Sequence, residues 1–189
     1  VIIRPLQEAM QISSPENNST RWLHKVMNTS NQAFELLNFA FHSGGILIEI
    51  PKNLSLSKPI EIQIIHDDPD ISFSHPLYFI HAAEGSNVTV IERFEKNSTS
   101  PDATANGLIN ALAFIHLEKN AGVKHIRWQD LPETQSLVYK LAVAQSRDSR
   151  FESFAFDFGG DMIRNNIDVE LDESNTYTSL QAGYLAKRR

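Results

Sequence analysis

The spacing of hydrophobic positions changes once along this chain, from a helical period to an alternating one. Before the change, Phe34, Leu37 and Phe41 recur at helical spacing, which predicts a helix with these side chains on one face. After it, the hydrophobic positions fall in short alternating runs that are typical of strands. The pattern predicts a partial helical region over residues 1–42 and a β core over residues 43–189.

The junction between these regions carries two glycines followed by a strand pattern. Gly44 and Gly45 follow the predicted helix, and we expect them to end it through positive φ angles. Ile46, Ile48 and Ile50 then occupy alternate positions, which predicts a strand with one apolar face.

Similar polar turns precede several of the predicted strands. The residues that begin the strands after four of these turns are Val88, Val123, Phe151 and Tyr177. Their spacings of 35, 28 and 26 residues are close to one turn of a solenoid built from several short strands. A predicted loop at residues 96–107 accounts for the longest interval.

Strand phase near the end of the chain supports the same architecture. One predicted face carries Ile163, Asn165, Ile167, Val169 and Leu171, and the other carries Arg164, Asn166, Asp168, Glu170 and Asp172. One face is therefore expected to be buried and the other solvated. A Greek-key sandwich also alternates in this way. The nearly periodic turns favour the solenoid, so we predict a mainly β fold with a short helical segment before it.

Three phenylalanines also follow period two. Phe154, Phe156 and Phe158 share one strand face, which we assign to the solenoid interior, where aromatic rings fill the core. The alternative is a stripe of rings that stacks on a ligand. Trp128 lies among polar neighbours, which is typical of a half-buried aromatic, although a partner contact is a second interpretation.

Composition narrows the classes of function. With 189 residues and 41% hydrophobic content, the chain is long enough for one sizeable core. A formal net charge of -6 argues against a large nonspecific surface for nucleic acid or anionic membrane. The sequence has no cysteine, so it forms no disulfide and supplies no thiolate to a metal or cluster. No apolar run approaches the roughly 20 residues that span a bilayer, and we expect a cytoplasmic protein.

Seven histidines invite a metal hypothesis, but none falls in a metal-binding motif such as H-E-x-x-H. His116 and Glu118 share a predicted strand face, and His125 lies on what we take to be the next strand. These three residues are the weak metal candidates, as a surface group. The simpler interpretation is that they are solvated strand residues.

Carboxylates suggest an alternative function. Seven acidic residues draw attention: Glu92, Glu95, Asp157, Asp161, Asp168, Glu170 and Asp172. β-Helical folds host carbohydrate-active enzymes that work with paired carboxylates. Three of these residues, however, form the polar half of a regular alternation, which solubility alone explains. The sequence contains no nucleophile elbow.

Several unlike motifs then occur in one order and resemble one family. LLNFAFHSGGILIEIPKNLSLSKPIEI and HPLYFIHAAEGSNVTVIERF are followed by LEKNAGVKHIRWQDL and FDFGGDMIRNNIDVELDESNTYTSLQAGYL. Together they resemble the core of the SufB/SufD family of iron–sulfur cluster assembly scaffolds. The resemblance covers Phe34 to Leu185.

Within that family the chain is more similar to SufD. SufB-type chains tend to carry a cysteine after the strand that corresponds to VTVIERF, whereas Phe94 follows Arg93 here. They also tend to carry a Gln-x-Trp pair, of which Gln129 is present and Leu131 replaces the tryptophan.

The resemblance implies a right-handed parallel β-helix that acts as a scaffold rather than as an enzyme. It implies a SufB-like scaffold and a SufC-like ABC ATPase as partners, and an iron–sulfur cluster in the parent complex. The family's cluster-associated histidine lies in a motif after the AGYL strand, so we expect no cofactor on this chain, and no catalytic or cluster-binding residue carries over. Only fold-signature positions do: Asn38, Gly44, Gly45, Pro51, Asn53, Pro59, Gly85 and Asn165.

The two ends of the sequence suggest a piece of a longer protein. The chain begins with Val1 and ends shortly after a predicted strand. A solenoid that ends in this way exposes an unpaired strand edge and an uncapped apolar core. We therefore expect the chain to self-associate.

Overall fold

The computed structural model describes residues 1–11, 18–29, 31–66, 72–95 and 106–185. Within these ranges the helices are α1 (Leu6–Gln11), α2 (Asn18–Thr29) and α3 (Ala33–Phe41). The strands are β1 (Ile2–Pro5), β2 (Ile46–Ile50), β3 (Ile60–Ile65), β4 (Phe73–Ser74), β5 (Leu77–Ala82), β6 (Asn87–Glu95), β7 (Gly107–Leu117), β8 (Gly122–Asp130), β9 (Gln135–Gln145), β10 (Arg150–Asp157), β11 (Ile163–Leu171) and β12 (Tyr177–Tyr184). Most of the predicted loop at residues 96–107 lies outside the described residues.

Ten of these strands form five stacked rungs of a parallel β-solenoid. The first sheet has the order β1-β2-β5-β7-β9-β11, with β4 beside β7, and the second sheet has the order β12-β10-β8-β6-β3. Each rung contributes one strand to each sheet. Every described pairing is parallel except that of β1 with β2. The predicted solenoid is confirmed, and a Greek-key sandwich is excluded because its strands are antiparallel.

The central strands of the first sheet, β5, β7 and β9, are buried on both faces. Their inward side chains, such as Ile80 and Leu141, join the solenoid interior. Their outward side chains, such as Phe79 and Phe114, pack with Leu23 from α2 in a second apolar core. A strand between two apolar layers needs a continuous apolar run, and all six residues of β5 are buried.

Among the described helices, none has the length and hydropathy needed to cross a membrane.

One corner of the solenoid is a ladder of residues in the left-handed backbone conformation. Asn53, Gly85, Asn120, Asp148 and Asn175 have φ angles of 59°, 68°, 58°, 60° and 61°. The N–H of each of the first four donates to the carbonyl that precedes the next ladder residue, at 2.9 to 3.3 Å. A Cβ on Gly85 would overlap the side-chain oxygen of Asn53. The polar turns that look alike in the sequence are therefore stacked on one another.

The ladder also sets the register of the strands. Phe151 pairs with Val123, as the predicted spacing of 28 residues requires. On the next rung, however, Phe151 pairs with Thr178, so the last predicted spacing was wrong by one residue. Each of these strand positions lies three residues after its ladder residue, and Asn175 therefore makes Thr178 the equivalent position rather than Tyr177.

The assignment of the phenylalanines to the interior was wrong. Phe151 is fully buried in the interior core, but the alternate positions Phe154 and Phe156 point outward, and Phe156 is 37% exposed. On this outer face the rings of Phe156 and Phe158 stack with centroids 6.2 Å apart. Trp128, which is 42% exposed, packs 4.6 Å from Phe158.

The junction before β2 also differs from its prediction. Helix α3 ends without a left-handed residue, because its C-cap His42 is extended with φ -62° and ψ 134°. Gly44 has φ 157°, which is nearly extended, and Gly45 has no positive φ. Gly45 is instead required by close packing, because a Cβ there would lie 2.9 Å from the side chain of Leu6.

Helix α3 buries polar rather than apolar side chains. Phe41 is 66% exposed, and Phe34 and Leu37 are only partly buried. The residues that the helix buries are Glu35 and Asn38. The predicted helix is confirmed, and its buried side is the polar one.

The remaining fold-signature positions have local structural roles. The Asn38 amide donates to two backbone carbonyls, at 3.0 and 2.6 Å. Asn165 donates to Asp157 at 2.8 Å. Pro51 accepts a backbone hydrogen bond within the turn after β2, and Pro59 precedes β3.

The phase predicted for β11 is confirmed. Ile163, Ile167 and Val169 pack against the interior core, whereas Asp168 lies on the opposite, outward face. Leu171 shares the inward phase but is 57% exposed, because no described rung covers it.

Candidate functional site

The inner face of the second sheet carries a row of buried polar side chains. His125 on β8 lies between Glu92 on β6 and Ser153 on β10. Its Nε2 atom is 2.8 Å from the Glu92 carboxylate, and its Nδ1 atom is 2.9 Å from the Ser153 hydroxyl. The three residues expose 1%, 0% and 2% of their surface, respectively. They form an enclosed polar row inside an otherwise apolar solenoid.

The sequence around β8 explains why this row was not predicted. In KHIRWQD, period two places His125, Arg127 and Gln129 on one face and Ile126 and Trp128 on the other. The polar set is the buried one, because each of its members finds partners on neighbouring rungs. The interpretation of His125 as a solvated strand residue was therefore wrong.

Arg127 extends the polar row toward the end of the strands. It is 1% exposed, and its Nη2 atom donates to both carboxylate oxygens of Asp157, at 2.8 and 2.9 Å. Its guanidinium carbon lies 4.6 Å from the ring centroid of Tyr139, a cation–π distance. Its Nη1 atom has no hydrogen-bond partner among the described residues. A buried guanidinium nitrogen whose donors are unused is costly, so Arg127 is held in the interior by Asp157 and Tyr139 rather than by full satisfaction of its donors.

Glu92 is a buried carboxylate inside the solenoid, and it determines the ionisation of the groups around it. Burial raises the pKa of this carboxyl, but the charge of His125, its hydrogen bond to Glu92 and the nearby phenols of Tyr78 and Tyr139 outweigh burial and leave the pKa below its usual value. Burial, followed by the charge of Glu92, raises the pKa of both Tyr78 and Tyr139 well above 10. Glu92 is therefore ionised and both phenols are neutral at neutral pH.

This row has the order of a nucleophile, a histidine and an acid, but it is not accessible to a substrate. Ser153 would occupy the nucleophile position, with His125 as base and Glu92 as orienting acid. Hydrolysis requires a bound substrate at the hydroxyl and donors for an oxyanion. With all three residues at least 98% buried, the arrangement serves the interior of the solenoid instead.

A second polar group lies on the outer face of the first sheet. His81 Nε2 is 3.2 Å from Glu118 Oε1, and the rings of His81 and His116 have centroids 5.3 Å apart. Trp22 from α2 stacks on His116 at 5.1 Å. We call His81, His116 and Glu118 the histidine cluster.

The three metal candidates from the sequence are only partly brought together. His116 and Glu118 belong to the histidine cluster, whereas His125 lies inside the solenoid on the other sheet. His81, which the sequence did not single out, takes its place. In the part of the chain that the structure describes, no group of three or more His, Cys, Asp or Glu side chains has the geometry of a metal site.

The electrostatics of the histidine cluster favour a neutral imidazole. The pKa of His116 falls from 6.5 to about 4. Burial is the largest cause, the positive charges of His81, Lys25 and Arg21 add to it, and Glu118 opposes it. His116 is therefore uncharged at neutral pH.

Two carboxylates of the enzyme hypothesis, Asp157 and Asp168, have structural partners. Asp168 accepts the ammonium of Lys140 and the side-chain amide of Gln32. Lys140 is 3% exposed and also lies 3.4 Å from Glu35 on α3. Asp168 thus helps to hold the helices on the first sheet, and Asp157 is bound to Arg127.

Comparison with known proteins identifies relatives across most of the chain. A model of the family described as "SUF system FeS cluster assembly, SufBD core domain" matches residues 64–189. An iron–sulfur cluster assembly SufBD family protein of Synechocystis sp. is 26% identical over 156 residues, which cover 80% of this chain and 34% of that protein. A SufBD family protein of Staphylococcus aureus strain MRSA252 is 28% identical over 147 residues, 77% of this chain and 29% of that protein. The chain spans about a third of the length of these curated relatives.

Proposed function

Because this chain belongs to the SufBD core family of iron–sulfur cluster assembly proteins, we propose that it forms part of a non-catalytic scaffold subunit, most similar to SufD. The observation that carries the proposal is the family match over residues 64–189, which spans the parallel strands from β4 to β12. The absence of cysteine from the sequence supports the comparison with SufD rather than SufB.

In this proposal the iron–sulfur cluster is cargo of the assembled complex. The chain has no thiolate, and its described residues offer no three-ligand metal group. The described residues therefore do not fit a cluster. We assign the cluster ligands to other parts of the parent protein or to its partners.

The proposed partners are a SufB-like scaffold and a SufC-like ABC ATPase. A protein of this kind works in the cytoplasm without nucleic acid or membrane as a partner, and the net charge of -6 supports that part of the proposal. A central role for protein contacts also fits the enclosed polar row, which stabilises the solenoid from inside and leaves the outer face of the second sheet, with Trp128 and Phe156, available for binding.

The test is association of the full-length parent protein with each partner from the same organism. We expect a stable complex with both partners on size-exclusion chromatography with light scattering, and cluster assembly that depends on all three proteins. A parent protein that associates with neither partner contradicts the scaffold role. Hydrolysis or saturable binding of polysaccharides, lost in Asp168→Asn, would instead support a carbohydrate-active enzyme.

Self-association of the 189-residue chain is a separate part of the proposal. The last described rung exposes apolar side chains, with Leu171 at 57% and Leu180 at 47%. Parallel strand edges with apolar neighbours are sites of further pairing. Sedimentation of this chain should therefore reveal dimers or larger species, and a monomer at high concentration contradicts the prediction.

A further inference from the structure

Three aromatic rings lie together on the outer face of the second sheet. Trp128 on β8 pairs in register with Phe156 on β10, and Phe158 follows two residues after Phe156. The ring centroid of Trp128 lies 4.6 Å from that of Phe158 and 6.3 Å from that of Phe156. Trp128 and Phe156 are 42% and 37% exposed. We call Trp128, Phe156 and Phe158 the aromatic patch.

The described helices pack on the opposite sheet. The second apolar core, which holds these helices, takes its strand residues from β2, β5, β7 and β9 of the first sheet. The rings of the aromatic patch therefore stay exposed on the other side of the solenoid. Trp and Phe are enriched at protein interfaces, where their large rings supply much of the contact energy. The aromatic patch thus has the character of a contact surface.

Two carboxylates border the aromatic patch. Asp130 follows Trp128 by two residues on the same outward face, and Glu95 on β6 pairs with Asp130 in register. Glu95 accepts the neutral side-chain amide of Gln63 at 2.6 Å. Among the residues that the structure describes, no Lys, Arg or His forms an ion pair with either carboxylate. The border of the patch therefore carries two negative charges that no described cation balances.

The cations nearest to the patch on this face are already engaged. Arg93 pairs in register with Trp128, but its Nε atom lies 2.5 Å from the Glu61 carboxylate. Lys124 lies four residues before Trp128, toward the other end of β8, with its ammonium 5.3 Å from the ring centroid of Phe154. The charge next to the exposed rings is therefore negative, which is complementary to a cationic partner group.

The same fold shows what a ring and a carboxylate of this kind bind. The guanidinium carbon of Arg150 lies 3.9 Å from the ring centroid of Tyr177, while its Nη2 atom donates to Glu152 at 2.5 Å. Arg127 in the interior is also held between an aromatic ring and a carboxylate. The aromatic patch and Asp130 repeat this combination, but among the described residues no arginine stacks on the rings of the patch.

We propose that the aromatic patch is a docking surface for an arginine-bearing segment of a partner protein. The partner's guanidinium stacks on Trp128 and donates to Asp130, and Glu95 adds negative charge beside it. Arginine fits better than lysine, because a planar guanidinium stacks on a ring and donates to a carboxylate at the same time. The proposal goes beyond the scaffold role, since it defines the chemistry of the docked segment whichever protein carries it.

The experiment is a calorimetric titration of the full-length protein with the hexapeptide Arg-Ser-Arg-Ser-Arg-Ser. In an extended peptide the alternate arginines point to one side. The titration is made at about 0.15 M ionic strength, where long-range attraction between charges is screened. We expect saturable binding of this peptide, binding about threefold weaker when lysine replaces each arginine, and no detectable binding when neutral citrulline replaces it. The indole N–H resonance of Trp128, identified by its loss in Trp128→Phe, should shift along the same binding curve.

Substitutions locate the site on the sheet. Trp128→Ala and Asp130→Asn should each weaken binding of the arginine peptide about threefold, and the double variant about tenfold. Glu152→Gln is the matched control for the carboxylate, because Glu152 lies on the same outer face but is bonded to Arg150. Phe154→Leu is the control for the ring, because Phe154 lies outside the patch under Lys124. Both controls should bind the peptide as the wild type does.

Three results would overturn the proposal. Unchanged affinity in the Trp128→Ala, Asp130→Asn double variant, with its folding confirmed by circular dichroism, places the peptide elsewhere. Equal affinity for the citrulline peptide removes the requirement for a cation. A Trp128 resonance that moves with protein concentration and does not respond to the peptide identifies a second copy of the chain as the occupant. None of these results bears on the scaffold role, which depends on association with its two partners.

Discussion

His125 lies 2.8 Å from Glu92 inside the solenoid, although 33 residues separate them in the chain. Both side chains are at least 99% buried, and the hydroxyl of Ser153 completes the coordination of the imidazole. Loss of one member of a buried hydrogen-bonded pair leaves the polar atoms of the other without a partner. The polar row is therefore a stabilising element that depends on each of its members.

Glu92→Gln should lower the free energy of unfolding by about 2 kcal/mol or more, because it removes the charge that His125 faces. The control is Glu95→Gln, three residues along on β6, whose carboxylate contacts the exposed amide of Gln63. This control should change stability by less than about 0.5 kcal/mol. Denaturant unfolding measures both, and equal effects would contradict a special role for the buried pair.

The ladder corner makes a second prediction, at Gly85. Its φ of 68° and the overlap of an added Cβ with Asn53 both disfavour any side chain. Gly85→Ala should therefore cost about 1–3 kcal/mol. Gly183→Ala is the matched control, because a Cβ there meets Phe156 at an ordinary 3.6 Å. Similar melting temperatures for the two variants would show that the corner tolerates side chains.

The solenoid was predictable because its signals are local. The turns around Gly85, Asn120 and Asp148 look alike in the sequence, and their stacking fixes both the period and the sheet pairing. When equivalent turns stack on one another, the strands that follow them run in the same direction and therefore pair in parallel. Tyr177 is one residue too early because it is the hydrophobic residue after the last turn. The left-handed residue Asn175 instead makes Thr178 the equivalent of Phe151.

The polar row was not predictable, for a geometric reason. Period two specifies which residues share a strand face but not which face is inside. On β8 both faces mix polar and apolar residues, so only the neighbouring rungs decide. His125 is buried because Glu92 and Ser153 lie beside it, at 33 and 28 residues along the chain. For the same reason, Phe154 and Phe156 were predicted to face the interior, whereas they face outward.

The sequence predicted two of the three members of the histidine cluster, His116 and Glu118, but not His81. His116 and Glu118 lie two residues apart at the end of one strand, so their proximity follows from the sequence. His81 joins them through the pairing of β5 with β7, which sets His81 beside His116. His125 was misplaced because the strand that follows Glu118 belongs to the other sheet.

The reversed faces of β10 give a third prediction. Phe151 is fully buried in the interior, so Phe151→Ala should lower the free energy of unfolding by about 3–5 kcal/mol. Phe156→Ala, on the outward side of the same strand, should cost only about 1–2 kcal/mol, because this side chain is 37% exposed and buries less apolar area. Both variants replace a phenylalanine of β10 with alanine, so they differ only in the face of the strand. A larger loss from Phe156→Ala would mean that the sequence interpretation, rather than the structure, has the correct face.

The depressed pKa of His116 gives the fourth prediction, a loss of stability in mild acid. The unfolded chain protonates this histidine near pH 6.5, whereas the folded chain, with burial, His81, Lys25 and Arg21 acting against the charge, does so only near a pKa of about 4. Stability from His116 is therefore complete above pH 6.5 and declines as the pH falls toward 4, by up to about 3 kcal/mol.

His116→Asn should flatten the curve of unfolding free energy against pH over this window, since the substituted side chain does not titrate. His24→Asn, on α2 outside the histidine cluster, should keep the wild-type slope. Denaturant unfolding at several pH values between 7 and 4 measures both. A wild-type slope that persists in His116→Asn would show that other groups carry the acid sensitivity and that His116 does not resist protonation in the fold.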